Sequence, residues 1–488
     1  MAYKHGVYIN EDATGIVAPV EVESAMPVFF VTAPVHLTEN PYGVTNVPKL
    51  VYTYPEAVSS FGFSTKKEIW DNYTAPEVIQ SMFSLYGVSP CVIVNVLDPD
   101  VHKEEVTKEV TLNEYSGIIE DDGVLKDSVK IKKGDGYYTA GEDYTVSFND
   151  DDFVIINAVS DAEKGIPEGA VLEVSYTRLK PEAVDKFDVI GGFNYETGKN
   201  EGLELISEIF PRFRTIPCQI AAPGFSGSPA VAAVMETKAK SINGCFNAIA
   251  LADLPTIDEN GKRILYSDIA NWKNNNNYTG ADMVVCYPET ELDGYKYHLS
   301  VQLAGCIALT DYENDGVPYV SPSNHTLKIN GLVYGDGGEF ILPKEQADYL
   351  NGNGIVTAIN FTNGWTAWGN RTAIYPSSTD VKDCFIPTRR MFNWLGNSIV
   401  INYFSKVDYP LLKRSIETIV DSIGMWLNGL VSREYILGGS IEFLESENPA
   451  TDVIDGIVRF RVKFAPPSPM RDIEFTLEYD SGYLSALF

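Results

Sequence analysis

The sequence has few of the residues that metal sites and disulfide frameworks require. No histidine lies near a cysteine or carboxylate at metal-ligand spacing, and no cysteine pair has the CxxC spacing. The histidines are residues 5, 36, 102, 298 and 325, and the cysteines are residues 91, 218, 245, 286, 306 and 384. The cysteines lie in apolar runs such as Cys91–Val94, as expected of buried, reduced thiols in a cytoplasmic chain. We expect no metal and no cofactor.

Long apolar runs are also absent. The longest candidate, Leu299–Leu309, is too short to span a bilayer and is predicted to be a buried helix. The first residues, Met1–His5, lack the apolar core of a signal peptide. We therefore expect neither export by such a signal nor insertion into a membrane.

Basic residues are scarce. Lys and Arg total 37 against 67 Asp and Glu, a net charge of −30, which opposes binding to nucleic acid and to anionic membranes. Residues 381–463 are an exception, with ten basic and ten acidic side chains. Because like charge opposes self-association, this neutral stretch is the expected contact surface.

One motif resembles a catalytic site. Gly224–Ser228 follows a predicted strand and precedes a predicted helix, as the nucleophile elbow of a serine hydrolase does, but Ser228 replaces the second glycine. His298 and His325 are the only histidines downstream. A cytoplasmic hydrolase that uses Ser226 therefore stays an alternative, but a strand-to-helix loop is the favoured explanation of the motif. We predict no catalytic residue.

Two other polar segments resemble binding loops but lack a required residue. Asp311–Gly316 starts like a calcium loop, yet Pro322 occupies the twelfth position where a bidentate Glu is needed. Gly335–Gly338 lacks the Lys of a phosphate loop and is predicted to be a hairpin turn.

The length of 488 residues indicates two to four domains. Several short apolar runs alternate with helical segments, which predicts an α/β body with a parallel sheet. The predicted strands are 90–97, 187–191, 219–222, 246–252 and 283–287, and the predicted helices are 203–210, 229–240 and 267–273. Residues 101–184 instead show strand alternation and many turn signals, so we predict an inserted, outward-facing β domain.

Beyond residue 380 the pattern becomes helical and then extended. Apolar residues at spacings of three and four predict an amphipathic helix, with Leu412, Ile416, Ile419, Ile423, Trp426 and Leu430 on one face. A strand from Ile441 to Leu444 is expected to pair with 458–464. In that second strand one face is apolar and comprises Val458, Phe460, Val462 and Phe464, while Arg459, Arg461 and Lys463 form the other.

Both ends of the chain have strand patterns without an evident partner. After the proline-rich stretch 465–469, Ile473, Phe475, Leu477 and Tyr479 alternate with polar residues. The segment 465–472 can reach roughly 26 Å, so the final strand is expected to pair with another subunit. At the other end Gly6, Val7, Tyr8 and Ile9 form a short β-prone run before a Gly- and Pro-punctuated stretch. This run is interpreted as a second arm, with a frayed terminus as the equally weighted alternative.

The C-terminal quarter resembles contractile tail sheath proteins, which occur in myophages, in related bacteriocins and in contractile injection systems. The resemblance rests on residues 448–456 (NPATDVIDG), the following strand, the proline linker and the final alternating strand. It is strong over 376–480 and weaker over the α/β body. Thr388–Arg390 and Tyr435–Gly439 agree with it, whereas Asn448–Pro449 stands where Asn-Thr is usual.

This resemblance implies a structural, non-enzymatic protein of α+β class. It implies an N-terminal arm (1–25), an α/β body (26–100 and 185–375), the inserted β domain (101–184), a sheath domain (376–464) and a C-terminal arm (465–488). Subunits would form six-fold rings around a tail tube and contract to drive the tube through a cell envelope. Another tail or capsid structural protein is the alternative.

The implied partners are other copies of the chain, the tail tube, and baseplate and tail terminator proteins. The implied location is the tail of a virion or phage-like particle, assembled in the bacterial cytoplasm. Arms would bind the sheet that contains Val458, Phe460, Val462 and Phe464. Four basic residues are candidates for facing the tube or a neighbouring subunit, namely Arg389, Arg390, Lys413 and Arg414.

Overall fold

The computed structural model describes residues 21–159, 165–362 and 364–487, with side chains to residue 484. The predicted N-terminal arm, Gly6 to Ile9, lies outside the described residues.

The strands and helices are numbered in chain order. The strands are β1 (Pro27–Val31), β2 (Lys49–Val51), β3 (Cys91–Asn95), β4 (Lys103–Thr111), β5 (Ser116–Ile119), β6 (Lys130–Lys133), β7 (Gly136–Tyr137), β8 (Tyr144–Phe148), β9 (Val154–Ala158), β10 (Val171–Leu179), β11 (Gly192–Asn194), β12 (Lys199–Glu201), β13 (Gln219–Ala221), β14 (Ile249–Asp253), β15 (Met283–Cys286), β16 (Glu289–Leu292), β17 (Tyr295–Tyr297), β18 (Gly331–Val333), β19 (Ile355–Asn360), β20 (Trp365–Trp368), β21 (Gly438–Glu442) and β22 (Arg461–Ala465). The α-helices are α1 (Tyr54–Phe61), α2 (Lys67–Asn72), α3 (Ala75–Ile79), α4 (Lys186–Ile190), α5 (Ile206–Phe213), α6 (Pro229–Ala239), α7 (Tyr266–Asn275), α8 (Leu299–Glu313), α9 (Lys344–Gly352), α10 (Val381–Cys384), α11 (Ile386–Tyr403), α12 (Lys413–Ser432) and α13 (Ala450–Ile454).

The body is built on an eight-stranded sheet in the order β2-β3-β1-β13-β14-β15-β19-β20. Neighbouring strands from β3 to β19 are parallel, whereas β2 and β20 pair antiparallel at the two edges. Strands β1, β3 and β14 are buried along their whole length, as expected of a parallel sheet that is covered on both faces. The predicted α/β body is confirmed.

The predicted strand at 187–191 is wrong, because this segment forms helix α4. Its start is a reciprocal cap: the Asp185 carboxylate accepts a hydrogen bond of 2.6 Å from the Phe187 N–H, and the Asp188 carboxylate accepts one of 2.7 Å from the Asp185 N–H. Such a capping box satisfies two N–H groups that a helix start otherwise leaves unpaired. The five residues Lys186–Ile190 therefore form about one and a half helical turns.

The β-rich insertion forms two antiparallel sheets, β4-β10-β6-β7 and β5-β9-β8, around its own apolar core. Its first and last strands pair in register, Lys103 opposite Leu179. The insertion contacts the body where Ser64 donates a hydrogen bond of 2.5 Å to Asp152 and where the Lys66 ammonium lies 3.7 Å from the centre of the Phe153 ring.

The C-terminal part packs α11, α12, β21 and β22 around a third apolar core. Ile423, Trp426 and Leu430 are buried there, as the helical spacing predicted. Leu412, also predicted on that face, is wrong as a core residue: it precedes the helix as its N-cap and is exposed.

Candidate subunit interface

The two-stranded sheet β21-β22 is the region where the sequence predicted an acceptor for arms. The strands pair antiparallel, with Ile441 opposite Val462 and Glu442 opposite Arg461. In the part of the chain that the structure describes, neither strand has a second partner, so each presents a free edge. A free edge offers unpaired backbone N–H and C=O groups to an added strand.

One face of β22 lies on the helices. Phe460, Val462 and Phe464 pack against the third core, and the rings of Phe464 and Phe392 are 4.3 Å apart between centroids. These three residues and Val458 are all only partly buried, so a strip of apolar surface stays accessible along the strand. The regular strand begins at Arg461, which is later than the predicted start at Val458.

Asn448 organises the loop between the two strands. Its side-chain amide donates hydrogen bonds of 2.9 Å and 3.0 Å to the carbonyls of Leu444 and Arg459. Its side-chain oxygen accepts one of 2.7 Å from the Arg459 N–H. Asn448 thus pairs with the Arg459 backbone as a neighbouring strand would. The resemblance marked this residue, but no sequence pattern predicted the contact because the partners are eleven residues apart.

The C-terminal segment makes no regular structure within the described chain. Residues 466–480 form neither helix nor strand, and a short 3-10 helix follows at Ser481–Leu487. The four apolar residues of the predicted arm are 62%, 86%, 96% and 79% exposed for Ile473, Phe475, Leu477 and Tyr479. An apolar row that is exposed along its whole length is typical of a surface that another chain covers.

The described N-terminal residues, 21–24, lie between the body and the C-terminal helices. The indole N–H groups of Trp394 and Trp426 donate to the Val22 carbonyl at 2.9 Å and to the Glu21 carboxylate at 3.1 Å. Arg433 also binds the Glu21 carboxylate, at 2.7 Å. These contacts hold the root of the predicted N-terminal arm at a defined place.

The predicted set of four basic residues divides into two pairs. Arg390 is 3% exposed and forms a buried ion pair with Asp311, so the expectation that it faces a partner is wrong. The pair is completed by Ser24, whose hydroxyl donates to Asp311 at 2.5 Å and whose carbonyl accepts from Arg390 at 3.2 Å. Burial of both charges requires such partners, which is why this arginine is internal.

Arg389 is also engaged within the subunit. Its guanidinium lies 3.3 Å from the carboxylate of Asp282 and 3.2 Å from that of Asp383. Lys413 and Arg414 are different, since both are exposed at the start of α12. For these two residues, contact with a partner stays a prediction.

The alternative catalytic residue is not placed for nucleophilic attack. Ser226 is fully buried, and its hydroxyl accepts a hydrogen bond of 2.9 Å from the backbone N–H of Asp253 and lies 3.4 Å from that carboxylate. His298 instead contacts Glu77, with Nδ1 2.6 Å from a carboxylate oxygen. Burial lowers the pKa of His298, but the adjacent charges of Glu77 and Asp253 outweigh it and raise that pKa to about 10. An imidazole that is protonated at neutral pH cannot serve as a general base.

Other chemistry has no counterpart in the described ranges. Across 21–159, 165–362 and 364–487, no cluster of three His, Cys, Asp or Glu side chains has the arrangement to hold a metal ion. Within the same residues, no helix has the length and apolar character needed to cross a membrane. The cysteines are free thiols, and all but Cys245 are buried.

Two solved sheath structures share this fold along almost the whole chain. The sheath complex of the extracellular contractile injection system PVC, in its contracted state, superposes with a TM-score of 0.59 and 16% identity, covering 99% of each chain. The contracted helical sheath of the anti-feeding prophage gives a TM-score of 0.57 and 16% identity, covering 98% of this chain and all of the other. At these identities the likeness concerns the fold.

Sequence comparison gives relatives of the same kind. The tail sheath protein of Burkholderia phage BcepMu is 26% identical over 501 aligned residues, which cover 99% of this chain and 98% of that protein. The resemblance to contractile tail sheath proteins is confirmed by this similarity, which extends over almost the whole of both chains. A second sheath relative, the major tail sheath protein of Serratia phage KSP20, is 31% identical over 144 residues, 29% of this chain and 35% of that protein. No protein-family model matches this chain.

Proposed function

We propose that this sheath subunit assembles as stacked six-fold rings around a tail tube and that the assembly contracts to drive the tube through a cell envelope. The proposal includes arms exchanged between subunits, with the domain division 1–25, 26–100, 101–184, 185–375, 376–464 and 465–488. Its tail tube, baseplate and terminator partners and its assembly in the host cytoplasm are part of the same proposal.

The exposed C-terminal segment carries this proposal. Its apolar row has no contact that buries it in the subunit, while β22 offers a free edge beside a half-exposed apolar strip. Burial of four such side chains releases about 6 to 10 kcal/mol. Ordering some seven backbone residues costs about 7 to 14 kcal/mol. One arm is therefore marginal alone, and assembly needs several arms acting together at high effective concentration.

We also propose that Lys413 and Arg414 face the tube or a neighbouring subunit. They follow a loop of exposed apolar residues that includes Phe404, Val407 and Tyr409. Apolar side chains flanked by exposed cations suit a partner surface that is apolar in part and acidic.

Truncation after Phe464 tests the arm directly. Because residues 470–484 are exposed and 466–480 form neither helix nor strand, the truncated subunit should melt nearly as the full chain does, whereas sheath tubes should disappear from negative-stain images. A full-length chain that stays monomeric under conditions where the truncated chain loses its cooperative melt would contradict the proposal.

Two neighbouring substitutions provide a matched pair. Phe475→Asp places charge on the apolar face of the arm and should prevent tube formation, because burying an unpaired carboxylate is costly. Thr476→Asp places the same charge on the opposite face and should leave tubes intact. If both variants form tubes, or if neither does, assembly does not distinguish the two faces of the arm.

We propose further that the chain has no enzymatic activity of its own. The buried Ser226 hydroxyl and the charged state of His298 support this. A fluorophosphonate probe should label wild type and Ser226→Ala equally weakly, and strong labelling of wild type alone would overturn this part of the proposal.

A further inference from the structure

The β insertion contacts the body in two ways. At its root, the side chains of Leu125 and Leu179 pack into the apolar core of the body. Elsewhere, the hairpin β8-β9 lies on the body through three side chains around its turn, Phe148, Asp152 and Phe153. The root contact is apolar, whereas the body residues that meet the hairpin include two ionisable bases.

The first of these bases is His36, in the 3-10 turn Val35–Leu37. Its side chain is buried, and its ring lies 6.4 Å from the ring of Phe148 and 5.9 Å from that of Tyr73, measured between centroids. Within the described residues, neither Nδ1 nor Nε2 has a hydrogen-bond partner. Because a buried charge without an acceptor is costly, this contact requires the neutral form of the ring.

The second base is Lys66. Its ammonium lies 3.7 Å from the centre of the Phe153 ring and, in the part of the chain that the structure describes, has no hydrogen-bond partner. The hydrogen bond recorded between the hairpin turn and the body runs from the Ser64 hydroxyl to the Asp152 carboxylate, at 2.5 Å. The hairpin thus covers two bases while one hydrogen bond and aromatic contacts hold it in place.

We propose that the contact between the hairpin β8-β9 and the body is an acid-sensitive latch, which holds the hairpin over His36 at neutral pH and opens when that ring takes up a proton. The root at Leu125 and Leu179 stays packed, so opening moves the hairpin without unfolding the body. The latch lies within one subunit and does not depend on the proposed exchange of arms.

The titration of His36 gives the direction and size of the effect. Burial lowers the pKa of His36 from 6.5 to about 3. A ring released from the contact regains its ordinary pKa, so the ring stabilises the docked state fully above pH 6.5, and this stabilisation is lost as the pH falls toward 3. With these two values, the ratio of docked to open hairpin falls about thirty-fold between pH 8 and pH 5.

Other ionisable groups face the same region. Burial, and then the charge of Asp122, raises the pKa of Tyr73, which therefore stays neutral at pH 8. Burial, and then the charge of Glu68, raises the pKa of Asp122, so acid relieves a buried charge there and opposes opening. The remaining charged groups are Lys66, Asp152, Arg178 and Glu182. A comparison with variants of His36 separates its titration from theirs.

A thiol placed in the contact measures its opening. Ser64→Cys puts a thiol beside Asp152 at a buried position, so a disulfide reagent reaches it only when the hairpin moves away. The labelling rate, divided by that of a short peptide of the same sequence at the same pH, gives the open fraction. We expect this fraction to rise about thirty-fold from pH 8 to pH 5. An open fraction that stays constant over this range would overturn the latch.

Two substitutions remove the titration of His36. His36→Phe keeps an aromatic ring at this position, and His36→Gln keeps a polar side chain that does not titrate. In the Ser64→Cys background, neither variant should show a rise in open fraction toward pH 5. His325→Gln is the matched control, since His325 lies beside β20 at the edge of the body sheet, and it should keep the full rise. A rise that persists in both His36 variants would show that another group opens the contact.

Two further thiols distinguish opening of the latch from unfolding. Cys91 is fully buried in β3 of the body, and Val174→Cys places a thiol in the core of the insertion, where Val174 is fully buried. Both should label slowly from pH 8 to pH 5. If either becomes accessible together with the thiol at position 64, the body or the insertion unfolds as a whole and the latch is wrong.

Discussion

The indole N–H of Trp394 donates a hydrogen bond of 2.9 Å to the backbone carbonyl of Val22, across 372 residues of sequence. Together with the contact from Trp426 to Glu21, it fixes the first described residues against the C-terminal helices. The first described residues therefore pack against the C-terminal helices, through side chains from the far end of the chain.

Glu21 and Glu23 provide a matched test of this anchor. Glu21→Gln removes the charge that Arg433 and Trp426 bind, so we expect the free energy of unfolding to fall by up to about 1 kcal/mol. Glu23→Gln changes a more exposed carboxylate, which accepts a hydrogen bond of 3.3 Å from the Thr215 hydroxyl, and should change stability less. Urea unfolding of the three proteins checks the difference, and equal midpoints would contradict an anchoring role for Glu21.

Arg390 and Arg414 should respond very differently to the same substitution. Arg390→Met leaves Asp311 as a buried charge without its partner, so a loss of about 3 to 5 kcal/mol is expected. Arg414→Met changes an exposed side chain and should alter stability by less than about 0.5 kcal/mol. Thermal or urea unfolding measures both. If Arg414→Met keeps its stability but reduces binding to the tube, the proposed role of Arg414 is supported.

His298 should make stability depend on pH. Its pKa is about 10 in the folded chain and 6.5 in a model peptide, so the folded state binds the proton more tightly. The stabilisation is therefore complete below about pH 6.5 and is lost progressively as the pH rises to about 10. His298→Gln removes this contribution. We expect the gap in melting temperature between wild type and this variant to be largest near pH 6 and to narrow toward pH 10; a gap that does not change with pH would show that the histidine is neutral.

The β insertion should be removable. Lys103 and Leu179 are paired opposite each other, so their Cα atoms are about 5 Å apart and a short Gly-Ser bridge can replace the residues between them. The trimmed chain should still fold and form tubes, with a lower melting temperature because the contacts of Ser64 and Lys66 with the insertion are lost. A folded but non-assembling product would assign the insertion to the lattice.

Periodic segments were predictable because their local pattern and their burial agree. The buried run at Cys91 is strand β3, and the stripe from Ile416 to Leu430 lies within α12. The prediction of a strand at 187–191 was wrong for a local reason. The capping box at Asp185 stabilises a helical turn, which the number of apolar residues in the segment does not reveal.

The features of the candidate interface were likewise predictable only in part from the sequence. Alternation alone predicts both the strand that ends at Phe464 and the apolar row of the arm, because a period of two is set by backbone geometry. The sequence does not reveal that Arg390 is buried whereas Arg414 is exposed. Both are arginines in helices, and only the distant residues Asp311 and Ser24 make one of them internal.

The sequence by itself determined the layered body, the separate β insertion, and a C-terminal segment in which apolar and acidic residues alternate. These properties depend on near neighbours in the chain, whose spacing is fixed by covalent geometry. The tertiary structure decided which basic residues are exposed, where residues 21–24 are held, and that Asn448 closes the loop beside β22. Those properties depend on contacts between residues far apart in sequence. A buried charge or amide needs a hydrogen-bonding partner, and folding alone decides which distant residue is close enough to be that partner.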